Sequence, residues 1–82
     1  MKLTDLSRRV EAQVASVEAL TPDDPIARRL RELGFVEGER VEVVATGPFG
    51  AEPLLVQIGF TRFALRRAEA ARVRLRTAEG VA

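Results

Sequence analysis

The apolar positions change period along the chain, from strand to helix and back. After a lead-in Leu3-Thr4-Asp5-Leu6-Ser7, Val10, Ala12 and Val14 alternate with Glu11 and Gln13. That is the period of a half-buried strand. The alternation slips at Ala15-Ser16 before Val17, which predicts a bulge there. Residues 21–38 carry helix signals instead. Asp24 is a good N-cap and Pro25 sits at the first helical position, where its missing N–H costs nothing. Ile26, Leu30 and Leu33 form one apolar stripe, Gly34 is a left-handed C-cap, and Phe35 falls where a Schellman motif packs against Leu30. The helix is therefore placed at about 24–33, with Ile26, Leu30, Leu33 and Phe35 in the core. Arg28, Arg29, Arg31 and Glu32 lie off the stripe.

After Gly38 the period returns to two. Val41, Val43 and Ala45 face one way, and Arg40, Glu42 and Val44 the other. Thr46 to Pro53 reads as a turn-rich loop. Leu54–Ile58 and Phe60–Leu65 read as strands separated at Gly59. Residues 66–71 read as one helical turn, and Arg72-Val73-Arg74-Leu75-Arg76 alternates strictly with its arginines outward. The tail Thr77–Ala82 is expected to fray. About five short strands, one inserted helix and a helical turn predict a mainly β, small barrel whose closure hides the sheet edges. At 82 residues, one domain over 1–82 is expected.

Composition narrows the chemistry. The chain has 13 Lys plus Arg against 12 Asp plus Glu, a net charge of +1. Binding of nucleic acid through bulk charge is not expected on that balance. Cys, His, Trp and Tyr are absent. Disulfides, iron–sulfur clusters, thiolate zinc sites and imidazole chemistry are thereby excluded. A metal within one chain would have to use carboxylates, backbone oxygens, Met1 or the N-terminus, which hold soft metals weakly. No cofactor and no metal site are expected. No apolar run approaches the roughly 20 residues that span a bilayer, and Met1–Val10 does not read as a signal peptide. A cytoplasmic protein, not inserted in a membrane, is expected.

The order of these signals resembles the FeoA family, the small cytoplasmic partners of the bacterial ferrous-iron transporter FeoB. The resemblance covers essentially the whole chain. It is carried by Arg29-Leu30-Arg31-Glu32-Leu33-Gly34-Phe35 and by Glu37-Gly38-Glu39-Arg40-Val41-Glu42-Val43. It continues through Pro48-Phe49-Gly50 with Glu52-Pro53, and through Ala64-Leu65-Arg66-Arg67-Ala68-Glu69-Ala70. Glu37 stands where the family usually has Pro, and Arg8 or Arg9 replaces a family Gly. The resemblance implies an SH3-like barrel with an inserted helix. It also implies an adaptor that binds FeoB, supports Fe²⁺ uptake and modulates the GTPase domain of the transporter.

Candidate partner-binding residues are Arg28, Arg29, Arg31, Pro48, Phe49, Gly50, Arg66 and Arg67. Each also has a plainer role. Pro48-Phe49-Gly50 can simply join two strands with Phe49 packed on the barrel end, although an aromatic at a loop tip suits an interface. The helix arginines can be a solvated face, although Arg is favoured at interfaces. Arg66 and Arg67 are candidates for an arginine finger. The plainer reading, with Arg66 bracketing the turn and paired to Glu69, is favoured. Arg72, Arg74 and Arg76 support the main alternative, a nucleic-acid- or anion-binding barrel. The four Phe offer few stacking surfaces for it, since at least two are expected inside. A proline-peptide reader is disfavoured for want of Tyr and Trp. A further alternative is a stand-alone relative of the SH3-like domain of metal-dependent repressors. Self-association is compatible with all of these. An enzyme is not expected, because no carboxylate pair is placed by spacing into a site.

Overall fold

A computed structural model describes residues 1–77. A 3₁₀ turn spans Leu3–Asp5, followed by β1 (Glu11–Val17), α1 (Pro25–Leu33), β2 (Arg40–Phe49), β3 (Glu52–Ile58), β4 (Thr61–Leu65), α2 (Arg67–Ala70) and β5 (Val73–Thr77). The five strands form one antiparallel sheet in the order β4-β3-β2-β1-β5. The mainly β class, strand number and both helices agree with the sequence pattern.

The helix ends follow their signals closely. The Asp24 carboxylate accepts from the Ile26 and Ala27 N–H groups at 3.0 and 3.4 Å. Gly34 stands in the left-handed region at φ 116°, and the Phe35 N–H reaches back to the Leu30 carbonyl at 3.1 Å. This is the Schellman closure. Leu30 and Phe35 are buried, whereas Ile26 and Leu33 are only partly buried against the core. Ala27, which the stripe did not include, is fully buried. The core gathers Ala12, Val14, Val41, Val43, Val56, Leu65, Val73 and Leu75, with the tilted Phe35–Phe63 ring pair at 6.4 Å beside them. Strands from both ends of the sheet thus share one interior.

Three bulges bend the sheet. Ala15 is extra in β1 opposite β5, at the place where the alternation slips. Val44 is extra in β2 opposite β3, which leaves Ala45 half-buried, not in the core. The third bulge corrects an expectation. Thr46–Pro53 is not a loop but the distal arm of the β2–β3 hairpin, paired to Phe49–Glu52 and turned at Gly50-Ala51. Within it Gly47 and Pro48 oppose the single residue Pro53. A bulge is where a strand admits proline, because the ladder there needs no N–H donor.

Other expectations also change. Val10 lies before β1 and is exposed, and Phe60 sits in the turn before β4, fully exposed. Only Phe35 is buried among the aromatics, with Phe63 half-buried. Arg72 does not join an outward stripe: it turns in to Asp24. The barrel is not closed by hydrogen bonds, since β4 and β5 are unpaired to each other among the described residues. The lead-in covers the β5 edge instead, through a Leu75 N–H bond to the Met1 carbonyl at 2.7 Å. Of the tail expected to fray, Thr77 closes β5, and residues 78–82 lie outside the described residues.

Arg9 occupies a left-handed conformation at φ 70°, with its N–H donated to the Val43 carbonyl at 2.9 Å. L-residues lose roughly 1–2 kcal/mol in this conformation. Glycine carries an entropic cost of about 0.5–1 kcal/mol in return. Arg9→Gly is therefore expected to stabilise the fold by about 0.5–1 kcal/mol. Urea unfolding checks it, and an unchanged or lower midpoint would contradict it.

Candidate functional site

The candidate residues are distributed over three elements, and tertiary contacts decide which of them meet. On α1, Arg28 and Arg31 face the β1–α1 connection. Arg28 pairs with Asp23 at 2.9 Å, and Arg31 donates to the Val17 carbonyl at 3.3 Å. Arg29 points elsewhere. It lines a small apolar depression of about 20 Å³ between the two helices, with Ile26, Leu30, Leu33, Leu65 and Glu69. Glu69 in turn belongs to α2 and accepts from the Arg66 N–H at 2.9 Å. The expected bracketing of the turn is thus present, but through the Arg66 backbone and not its guanidinium.

A second bond ties α2 to the hairpin. The Glu52 carboxylate accepts from the Arg67 N–H at 2.7 Å. Glu52 is the strand partner of Phe49, whose side chain is 82% exposed. Phe49 therefore points outward and does not pack on the barrel end. Pro48 and Gly50 are exposed beside it. A continuous path runs from Arg29 through Glu69, Arg66 and Arg67 to Glu52 and Phe49. Among the described residues, the guanidinium groups of Arg29, Arg66 and Arg67 take part in no ion pair.

The last-strand arginines behave differently. Arg74 pairs with Glu18 at 3.2 Å and Arg76 with Glu37 at 3.3 Å. Glu37 thereby meets a cation in addition to serving the turn. Arg72 pairs with the buried Asp24. Each positive charge of the supposed anion-binding stripe has a carboxylate beside it. Sequence alone offers no sign of these partners, which lie 39 to 56 residues away.

A second, larger depression is one the sequence pattern missed. An open groove of about 470 Å³ crosses β1, β2 and the β3–β4 turn, lined by Glu11, Glu39, Arg40, Glu42 and Phe60 among others. Its charges are largely matched, Arg40 with Glu11 at 3.7 Å and Arg9 with Glu42 at 3.9 Å. Among the described residues no group of three or more carboxylates converges to hold a metal ion. No helix among them is long and apolar enough to cross a membrane.

The family model described as the FeoA domain matches residues 1–77. The chain belongs to the FeoA family. It is 61% identical to the FeoA of Stenotrophomonas maltophilia, with 92% of this chain and 88% of that chain aligned and a TM-score of 0.84. That structure contains zinc, and its protein is described as a procaryotic SH3-domain protein suggested to be a ferrous iron transport activating factor. FeoA from Chlorobium tepidum is 32% identical, with 100% of this chain and 74% of that chain aligned at a TM-score of 0.83. A manganese-dependent transcriptional repressor shares the fold alone, at 22% identity over 89% of this chain and 39% of its own, with a TM-score of 0.71. No curated protein matches the chain significantly. The SH3-like, mainly β architecture is thus that of the FeoA family, whose members are accessory to iron transport and are not known as enzymes.

Proposed function

We propose that this FeoA-family chain is a cytoplasmic, non-enzymatic adaptor of ferrous iron uptake that acts by docking on FeoB, with residues 1–82 serving as one binding domain. The observation that carries the reading is the bond from the Arg67 N–H to Glu52. It ties the strand partner of the exposed Phe49 to a segment with two arginines that have no ion-pair partner among the described residues, an apolar anchor near cationic donors. Arg29 extends the same face through the depression it shares with Glu69. Pro48 and Gly50 flank Phe49, whereas Arg28 and Arg31 are engaged at the β1–α1 connection. Modulation of the FeoB GTPase would use Arg66 or Arg67, whose guanidinium groups are available to stabilise charge on a transferred phosphoryl group. The rival nucleic-acid reading loses support from the pairing of Arg72, Arg74 and Arg76 with carboxylates.

The test is a titration against the FeoB cytoplasmic domain and, separately, against single-stranded and duplex nucleic acid at about 150 mM salt. The adaptor is expected to bind FeoB, and the double variant Arg66→Glu/Arg67→Glu to weaken that binding by about tenfold or more. Binding to nucleic acid without binding to FeoB would overturn the reading. For the GTPase, Arg66→Ala and Arg67→Ala are compared in a GTP-hydrolysis assay. Absence of stimulation by the unaltered protein would end the arginine-finger role while leaving docking intact.

A further inference from the structure

We propose that the outer edge of β4 is a strand-addition site for an extended, acidic segment of a partner protein. A sheet ordered β4-β3-β2-β1-β5 has two outer edges. The β5 edge is covered by the lead-in, through the Leu75 bond to Met1 and an antiparallel bridge between Lys2 and Arg74. Among the described residues the β4 edge has no such cover. Its strand partner among the described residues is β3 alone, in unbroken register from Leu54–Leu65 to Ile58–Thr61. Alternate backbone N–H and C=O groups of Thr61–Leu65 therefore face away from the sheet, ready to pair.

The usual protections of such an edge are missing. There is no bulge in the pairing and no proline between residues 61 and 65. The single charge, Arg62, does not guard the edge. Its Nε donates to Gln57 Oε1 on β3 at 3.0 Å, which turns it back over the sheet. Ala64 is exposed and small, so an incoming backbone meets little obstruction.

Charge selects the occupant. Arg66 and Arg67 follow directly on the strand, exposed and without ion-pair partners among the described residues. The carboxylates of Glu69 and Glu52 are engaged with the N–H groups of these two residues. At the other end Phe60 stands fully exposed. An added antiparallel strand begins beside Arg66-Arg67 and ends beside Phe60. The complementary segment thus opens with Asp or Glu and closes on an apolar residue. A second copy of this chain fits less well, because two such edges would bring together arginines with no carboxylate on either strand. The site shares Arg66 and Arg67 with the FeoB docking face and rests on that reading for nothing else. A peptide titration contains no transporter, so the two stand or fall separately.

The experiment titrates ¹⁵N-labelled full-length protein with acetyl-Glu-Glu-Thr-Val-Thr-Val-Thr-Leu-amide at low salt. Controls replace both Glu by Lys, or both Val by Pro. The expected result is saturable binding with Kd below about 1 mM, centred on amides 61–65 and accompanied by slowed amide exchange there. The Lys peptide should bind about tenfold more weakly, and the Pro peptide, lacking ladder donors, should not bind. Arg66→Glu/Arg67→Glu should reverse the preference between the Glu and Lys peptides while amide shifts elsewhere stay native. The inference is overturned by no saturable shift, by equal binding of the Lys or Pro peptide, or by shifts confined to the groove of Glu11 and Glu42. A concentration-dependent dimer paired through β4 in the absence of peptide would overturn the choice of occupant.

Discussion

Asp24→Ala is expected to lower the midpoint of thermal unfolding by about 10–20 °C. Four groups converge on this one carboxylate. The N–H groups of Ile26 and Ala27 close the first turn of α1, and the Leu20 N–H anchors the preceding connection at 3.0 Å. The Arg72 guanidinium bonds to the same oxygen as Leu20. Asp24 is buried and the Arg72 side chain is only 15% exposed. Truncation therefore removes a helix cap and also leaves a largely desolvated cation without its counter-charge. Arg72→Met removes the cation but leaves the cap, and the double variant measures the coupling between them. Additive effects of the two substitutions would show that the pair itself contributes nothing.

The same carboxyl predicts a pH dependence. Its pKa lies below the ordinary 3.8, chiefly because the Leu20 N–H bonds the charged form. Burial opposes the shift, while the Ile26 and Ala27 N–H groups and the Arg72 charge reinforce it. A carboxyl whose folded pKa is depressed contributes stability above its unfolded value. That contribution is lost as pH falls through the folded value. The gap in stability between the unaltered protein and Asp24→Asn should be constant from pH 5 to 8 and narrow below about 3.8. A gap that stays constant down to pH 2 would contradict the assignment.

Gly47→Ala is expected to destabilise the protein by about 2–3 kcal/mol, through overpacking against backbone. A Cβ at Gly47 would lie 2.6 Å from both the Glu52 carbonyl carbon and Pro53 Cδ, and nearer still to the Glu52 carbonyl oxygen. None of these is the free end of a flexible side chain, so the hairpin arm must open. Opening it displaces Glu52 and releases the Arg67 N–H from its acceptor. The proposed docking on FeoB should weaken together with stability, because Phe49 loses its registered place opposite Glu52. Denaturant unfolding and the Phe49 amide shift check the two parts. Unchanged stability with an unmoved Phe49 would show that the bulge has room after all.

Much of the fold was legible in local pattern. Asp24-Pro25 and Leu33-Gly34-Phe35 mark both ends of α1 because capping is chemistry among near neighbours. Ala12, Val14, Val41, Val43, Val73 and Leu75 face inward as their alternation requires. The slip at Ala15 is a real bulge. The hairpin arm was misread because glycine and proline mark a turn locally, whereas a bulge opposite Pro53 admits them into a strand. The candidate site was legible only as a set of residue types. The pattern could not say that Arg72 would be drawn inward while Arg66 and Arg67 found no ion-pair partner among the described residues.

The chain by itself determined the period of each element, the helix caps and the absence of thiol and imidazole chemistry. These follow from steric preference and composition, which act over a few residues. Tertiary structure alone decided which charges are neutralised, which sheet edge is covered and which apolar side chains stay in water. Ion pairs spanning 39 to 56 residues depend on how the strands register, and no local rule encodes that. The same registration leaves Phe49 and the Arg66-Arg67 pair on one surface, joined through Glu52.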